Sequence, residues 1–243
     1  KVMGFSSPIQ LVLFDNNFGM QAKPVEISTD LVNKLLLDKK IIHVQPVGQK
    51  AGVIKTEEQI QGVVLKGVDS NYDKEFLLDA LVSGSYPKIS DTARTDEILI
   101  SNILSQKLQI NIGDFVRMWF VDEDESRARG RKFVVSGIYS TGMEEIDNVY
   151  IIGDLQHIQK LNGWKKDEVG SIEIVLNDIT DINNTAFELY GTIPYNISTR
   201  TIYDEYPQIF NWLNLLDMNV VVILTLLMLV ATITMISTLL ILI

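Results

Sequence analysis

The 243-residue sequence contains no cysteine and only two histidines. Without cysteine, the chain forms neither a disulfide framework nor a thiolate metal site. His43 and His157 lack the i,i+4 spacing of a helical zinc motif, and no nearby acidic pair completes a site. Structural or surface roles are therefore the better interpretation of both, and we predict no metal and no cofactor.

Sequence motifs for catalysis are also missing. No glycine-rich loop has the P-loop pattern, and no Gly-x-Ser-x-Gly nucleophile elbow occurs. The acidic run Asp122–Glu125 lacks the ligand spacing of an EF-hand loop, so a solvated hairpin tip is the better interpretation. Because no site can be assembled, we predict that the chain is not an enzyme.

Basic residues are outnumbered, with 21 Lys and Arg against 31 Asp and Glu, and the formal net charge is −10. This balance argues against nucleic acid as a partner, because nucleic acid binds a clustered basic surface. It does not exclude a domain beside a membrane, since orientation depends on Lys and Arg in short loops that flank membrane helices.

Charge is absent altogether from Met218–Ile243, which is dominated by Leu, Ile, Val and Met. A helix of about 20 apolar residues crosses a hydrocarbon core of about 30 Å, so this stretch predicts a transmembrane helix. A buried core helix and an apolar tail are the alternatives. The chain starts at Lys1 rather than Met and ends inside the apolar run, so we expect both boundaries to be cuts in a longer protein.

Two similar patterns of strand, helix and strand flank a long central stretch. The predicted elements are strands Ile9–Phe14 and Ile41–Val47 around a helix that carries Leu31, Leu35 and Leu36, and strands Ser171–Leu176 and Tyr195–Thr201 around the helix Asp178–Leu189. A hairpin of Gly52–Ile54 with Ile60–Val68 follows the first pattern. We predict a discontinuous domain, residues 1–68 and 168–205, built from an internal pseudo-repeat.

The central stretch, residues 69–167, predicts an inserted α+β subdomain. Its expected helices are Tyr72–Leu81, Ser101–Leu108 and Asp154–Leu161, and its expected strands are Phe115–Val121, Lys132–Tyr139 and Asp147–Ile152. A polar hairpin tip, DEDESRARGR, joins the first two strands. On its rising side lie Arg127, Arg129, Arg131 and Lys132. Alternation places three guanidinium groups on one face, which either meets an acidic partner or protects a strand edge from aggregation.

From Thr201 onward the pattern is helical. Thr201 and Asp204 fit a capping box, and Pro207 is expected in a first helical turn or at a kink. We predict one continuous rod over Tyr206–Ile243, comprising a stalk helix (206–217) and a membrane helix (218–243). The candidate contacts for acyl chains or a partner helix are Ile209, Phe210, Leu213, Leu216 and Met218.

Within the membrane helix, Ala231, Thr234 and Thr238 share a face. Small and hydroxyl-bearing residues let membrane helices approach closely, so this face predicts packing against other spanning helices. The alternative is that the threonine hydroxyls bond back to their own helix.

Three stretches resemble the permease subunits of lipoprotein-releasing (LolC/LolE-type) ABC transporters, in the wider class of MacB-type and FtsX-type permeases. They are VVLKGVDSNYD with LVSGSYP (Val63–Asp73, Leu81–Pro87), EILISNILSQKLQINIGDFVRMWF (Glu97–Phe120) and FVVSGIYSTGMEEIDNVYI (Phe133–Ile151). In the third, Gly137, Gly142, Met143, Glu145 and Asp147 match the lipoprotein-releasing branch. The final LMLVATITMISTLLILI resembles that branch's second spanning helix.

The resemblance implies an α+β, MacB-like periplasmic domain that continues into a transmembrane helix. A Porter-like β-α-β pseudo-repeat would carry a Sabre-like insertion. The implied partners are a cytoplasmic ABC ATPase, a second permease subunit, lipoprotein cargo and a periplasmic lipoprotein carrier, at the bacterial inner membrane with the soluble domain in the periplasm.

One branch captures its carrier with an apolar, proline-containing hook, and DEDESRARGR has neither proline nor a large apolar residue. Two other functions therefore stay open. The first is a MacB/FtsX-type mechanotransmission permease that acts on efflux or on a periplasmic hydrolase, and the second is a single-pass receptor with a ligand-binding ectodomain.

Overall fold

The computed structural model describes residues 2–14, 23–56, 59–120 and 128–242. The chain divides into two compact units, Lys1–Thr201 and Ile202–Ile243. The first unit mixes strands and helices, and the second is helical. The predicted α+β class, followed by an apolar helix, is confirmed.

The strands are β1 (Ile9–Leu13), β2 (Val25–Glu26), β3 (Ile41–Lys55), β4 (Ile60–Val68), β5 (Leu81–Gly84), β6 (Glu97–Ser101), β7 (Phe115–Phe120), β8 (Arg129–Tyr139), β9 (Tyr150–Asp154), β10 (Glu168–Val169), β11 (Ser171–Leu176) and β12 (Ile197–Thr201). The helices are α1 (Val2–Phe5), α2 (Thr29–Leu36), α3 (Glu75–Asp79), α4 (Asn102–Leu108), α5 (Glu144–Asp147), α6 (Leu155–Asn162), α7 (Ile182–Leu189), α8 (Ile202–Glu205) and α9 (Pro207–Leu242).

Four strands form an antiparallel sheet in the order β12-β1-β11-β3. Helix α2 joins β1 to β3, and α7 joins β11 to β12. The two predicted β-α-β patterns therefore exist, and each inserts one strand between the strands of the other. This is the split β-α-β arrangement.

Strand β3 is longer than predicted, because Ile41–Val47 and Gly52–Ile54 belong to a single strand of 15 residues. Gly48, Gln49 and Lys50, which lie between these two stretches, favour a turn by their residue types. They are nevertheless strand residues: Lys50 is buried and its Nζ donates to Asn162 Oδ1 at 2.6 Å. Gly48 meanwhile lies beneath α6. Tertiary contacts have overridden a local turn signal.

The second half of β3 belongs to a closed barrel of six strands, β3-β4-β9-β6-β8-β7, in which β7 pairs back to β3 through Trp119–Val53 and Met118–Ile54. Closure removes open strand edges. Apolar residues including Ile54, Leu65, Ile100, Met118 and Phe133 form one core cluster, to which α6 adds Ile158 and Leu161. The barrel takes β3 and β4 from residues assigned above to the first subdomain, and the predicted domain boundaries stay a prediction.

Several predicted elements of the central stretch change. The helix predicted over Tyr72–Leu81 is confined to α3 and is followed by β5, and the strand predicted over Asp147–Ile152 is β9, three residues later, after α5. Strand β6 was not predicted. Outside the central stretch, helix α7 begins at Ile182 rather than at the predicted Asp178, and Ile179 before it is 48% exposed.

The second unit contains α8 and α9. Tyr206 separates them, but its N–H donates to the Ile202 carbonyl at 3.0 Å. The centroids of the Tyr203 and Phe210 rings, one from each helix, lie 4.6 Å apart. Pro207 is the first residue of α9, which agrees with the expectation that it lies in a first helical turn. Among the described residues, α9 is the one helix long and apolar enough to cross a membrane.

A buried ion pair lies between β4 and β11. Lys66 Nζ donates to Glu173 Oε1 at 2.8 Å and to the Phe5 carbonyl at 2.6 Å. Glu173 Oε2 accepts from Gln45 Nε2 at 2.9 Å and from Ser7 Oγ at 3.3 Å. Burial by itself lowers the pKa of Lys66, but the adjacent Glu173 carboxylate raises it above its ordinary value, so the Lys66 ammonium stays protonated.

We expect Glu173→Gln to lower the free energy of unfolding by about 3–5 kcal/mol, because it leaves a buried ammonium without its counter-ion. Urea titration of the detergent-solubilised chain, followed by circular dichroism, measures this. The matched control is Lys34→Met, which breaks the exposed Lys34–Asp30 pair and should change little. A loss no larger than the control's would contradict the role of the buried pair.

Gly67 and Gly48 form a register pair beneath α6. A Cβ at Gly67 would lie 2.8 Å from the Leu155 Cα, whereas one at Gly62 on the same strand meets nothing within 4 Å. We expect Gly67→Ala to cost about 1–3 kcal/mol by overpacking. Gly62→Ala should be neutral or slightly stabilising. The same urea titration compares them, and equal stabilities would show that α6 does not need this close approach.

Candidate partner-binding surface

Strand β7 presents alternate residues to the two sides of the barrel wall. Val116, Met118 and Phe120 are buried in the barrel core, while Phe115, Arg117 and Trp119 face outward. The period of two in FVRMWF produces this separation, because successive side chains of a strand point to opposite faces. Two large aromatic side chains are thereby held at the surface: Phe115 is 66% exposed and Trp119 is 37% exposed.

Strand β8 places Lys132 directly opposite Arg117, and Gly130 opposite Trp119. The Lys132 Nζ lies 3.6 Å from the centroid of the Phe115 ring, and the Arg117 Cζ lies 5.7 Å from that of Trp119. A Cβ at Gly130 would be 3.0 Å from the indole ring, so the absence of a side chain lets Trp119 lie close to β8. Cation–π attraction holds both cations beside aromatic rings.

These residues line an open groove of about 530 Å³ on the outside of the barrel. We name as the basic–aromatic face its five charged or aromatic residues, Lys55, Phe115, Arg117, Trp119 and Lys132. The remaining described lining residues are Thr56 and Val116, so the described lining holds three cations and no carboxylate. Such a surface attracts anionic groups.

The four basic residues predicted to meet a partner are not brought together on this face. Arg127 lies outside the described residues. Arg129 and Arg131 follow the barrel-interior side of β8: Arg129 Nη1 donates to the Leu161 carbonyl at 2.9 Å, and the Nε of Arg131 is buried with no hydrogen-bond partner among the described residues. Of the three that the structure describes, only Lys132 joins the basic–aromatic face. Phe115, Arg117 and Trp119 are not among the predicted contact residues, although the period of two in FVRMWF indicates that they share a face.

The candidate acyl or helix contacts all lie on α9. Ile209 and Phe210 are half-buried, whereas Leu213 is 44%, Leu216 40% and Met218 58% exposed. Farther along, Ala231 is exposed, and the Thr234 and Thr238 hydroxyls donate to the carbonyls of Val230 and Thr234, each at 2.8 Å. The hydroxyls thus follow the second interpretation given above, while packing of this face against other helices stays a prediction.

A smaller cavity of about 110 Å³ lies between the segment after β4 and the start of α6. Asp69, which lines it, has a buried Oδ1 with no hydrogen-bond partner among the described residues. Burial raises the pKa of Asp69 to about 6, and the nearby Asp91 carboxylate adds to this, while His43 opposes it. Ser70 Oγ donates to Asp91 Oδ1 at 2.6 Å.

Asp69 predicts a pH dependence of stability. Its folded-state pKa of about 6 exceeds the ordinary 3.8, so between these values the folded chain holds a proton that the unfolded chain has lost. The free energy of unfolding therefore falls as pH rises from about 4 to 6. We expect Asp69→Asn to remove this part of the fall, as measured by melting temperatures at both ends of the window. The exposed Asp79→Asn is the control. A pH profile of Asp69→Asn that parallels the parent would contradict the assignment.

Similarity to known proteins spans most of the chain. Residues 5–190 match the family described as the MacB-like periplasmic core domain. The periplasmic region of MacB from Actinobacillus actinomycetemcomitans is 14% identical, with a TM-score of 0.51, over 87% of this chain and 96% of that chain. The extracellular domain of the noncanonic ABC-type transporter YknZ from Gram-positive bacteria is 15% identical, with a TM-score of 0.49, over 79% of this chain and 99% of that chain. No match was found among curated proteins.

At such identities the MacB structure supports the fold alone. The family match shows family membership as well as fold, because it extends from α1 through the barrel to the end of α7. It confirms the predicted MacB-like domain. The chain therefore belongs to the MacB-like periplasmic core domain family.

Proposed function

We propose that the chain is the periplasmic region and second transmembrane helix of an ABC transporter permease, which releases lipoproteins from the inner membrane towards a periplasmic carrier. The observation that carries this is a MacB-like periplasmic core domain followed directly by a helix apolar enough to span a membrane. The chain itself is non-catalytic, and a separate cytoplasmic ATPase supplies the energy. A second permease subunit, identical or related, completes the membrane part.

The family match and the structural likeness to the periplasmic region of MacB support a MacB-type permease. A periplasmic domain with a neighbouring membrane helix suits a protein of the bacterial inner membrane. The finer assignment, to lipoproteins, rests on the resemblance of Phe133–Ile151 to the lipoprotein-releasing branch and on the apolar surface of α9.

The motif in that stretch has a local structural role. Asp147 is buried and accepts hydrogen bonds from the Thr141 hydroxyl at 2.8 Å and from the Thr141 and Gly142 N–H groups. Gly142 has a φ of +71°, which favours glycine. These residues fix the turn between β8 and α5. Their part in the resemblance to the lipoprotein-releasing branch is therefore structural.

Cargo contact belongs on the first part of α9. Leu213 and Leu216, three residues apart, expose apolar surface on one face of the helix just before the fully apolar run, and Met218 is the exposed first residue of that run. Exposed apolar side chains on a helix favour a covering partner. Acyl chains of a lipoprotein or a helix of the second permease subunit meet that requirement.

Movement would reach the outer domain through α9. The helix has 36 residues, so at about 1.5 Å per residue it is about 54 Å long, more than a hydrocarbon core of about 30 Å. No glycine occurs after Gly191, and α8 follows β12 without a flexible linker. A movement driven by ATP hydrolysis in the partner ATPase would therefore be transmitted mechanically along α9.

A mechanotransmission permease that acts on efflux or on a periplasmic hydrolase is the second candidate function. The family match suits it equally, and the hairpin tip DEDESRARGR lacks the apolar hook by which one branch captures its carrier. The single-pass receptor is the weaker alternative, because the family match gives it no support.

We expect Leu213→Glu with Leu216→Glu to reduce lipoprotein release about tenfold or more, because an ionised side chain is costly to bury against acyl chains or an apolar helix. The measurement is the fraction of lipoprotein retained in the inner membrane of cells that depend on this permease. Gln208→Glu, on an exposed position of the same helix, is the control.

Equal retention with and without the subunit would refute lipoprotein release. If periplasmic hydrolase activity changed instead while lipoproteins stayed correctly sorted, the mechanotransmission function would replace it.

A further inference from the structure

We propose that the basic–aromatic face binds an extended, acidic segment of a partner protein. The inference rests on the proposed function for the existence of a periplasmic partner and deepens it by naming that partner's chemistry. It concerns the outside of the barrel wall formed by β3, β7 and β8.

Two like charges are placed directly opposite each other on this face. Arg117 and Lys132 are register partners on the open side of β7 and β8. Like charges at such cross-strand positions destabilise a sheet. Stability alone would favour a carboxylate opposite Arg117. The basic pair is the more unusual because acidic residues outnumber basic ones in this chain. An anion bound between the two side chains would remove the repulsion.

The aromatic residues beside them add an apolar component. Phe115 and Trp119 remain exposed although each has a cation nearby, and Val53, the register partner of Trp119, is 37% exposed. Gly62, paired with Val53, leaves open space on the same side. Apolar side chains of a ligand can therefore pack on Trp119 and Val53 while its carboxylates reach Arg117 and Lys132.

The spacing favours an extended segment. Phe115, Arg117 and Trp119 recur at every second residue of β7, and side chains on one face of an extended peptide recur at the same interval. A segment that alternates acidic and apolar residues along β7 would place a carboxylate near Arg117 and Lys132 and an apolar side chain on Trp119. Nucleic acid is disfavoured because the chain carries a net charge of −10.

The test uses the full chain in nanodiscs of phosphatidylcholine. The probe is a fluorescein-labelled peptide of alternating Glu and Leu, with a Gln–Leu peptide as its neutral counterpart, and anisotropy reports binding. We expect Arg117→Glu and Lys132→Glu each to raise the dissociation constant about tenfold or more, since both reverse a charge at the contact. Trp119→Ala should also weaken binding, and added salt should weaken it further.

Lys107→Glu is the matched control, because it changes the net charge equally at an exposed position on α4. If it weakens binding as much as Lys132→Glu does, the peptide senses net charge and the inference is overturned. Equal binding of the Gln–Leu peptide also overturns it. So does binding of phosphatidylglycerol vesicles through the same residues without peptide binding, or a Lys132-dependent self-association seen by light scattering.

Lys132→Met, which keeps the apolar part of the side chain, guards against a folding artefact. If the melting temperature of this variant is unchanged, the variant should still weaken binding, and unchanged affinity would count against the inference.

The assay contains neither ATPase nor lipoprotein. Peptide binding that persists when lipoprotein release fails would refute only the proposed function, and release without peptide binding would refute only this inference.

Discussion

The shared strand β3 is the constraint on which the first unit depends. Its first half pairs with β11 in the split β-α-β sheet, and its second half pairs with β4 and β7 in the barrel. The two parts are therefore connected by one continuous strand, whose backbone bonds to β11 in the sheet and to β4 and β7 in the barrel. Separating them would expose unpaired N–H and C=O groups, which is costly. A force applied to the sheet consequently reaches the barrel through the backbone.

Buried charge reinforces this connection. Lys66 comes from the barrel strand β4, Glu173 from the sheet strand β11, and Gln45 of β3 bonds to the same carboxylate. Lys66 also bonds to the Phe5 carbonyl at the end of α1. The pair contributes less net stability than its Coulomb attraction implies, because both charges are desolvated. It does specify which strands meet, since misalignment would leave a buried charge unpaired.

The barrel in turn creates the functional surface. The Val53–Trp119 pairing that closes the barrel brings β3 beside β7. Lys55 and Val53 thereby join aromatic and basic residues that lie sixty or more positions away in sequence. Each side chain sits on a hydrogen-bonded strand rather than a loop, which limits the freedom lost on binding. The rigid core inside the barrel and the charged surface outside it arise from the same period of two in FVRMWF.

The α+β class, both β-α-β patterns, the helix α4 and the long apolar helix could be predicted from the sequence, because local periodicity encodes them directly. The continuity of β3, the presence of β6 and the closure of the barrel could not be predicted, since they depend on partners distant in sequence. The predicted basic cluster is divided for the same reason. Arg129 and Arg131 lie on the barrel-interior side of β8, while Lys132 is paired with Arg117 on β7 and lies over the Phe115 ring. Alternation assigns residues to faces, but the fold decides which face is open.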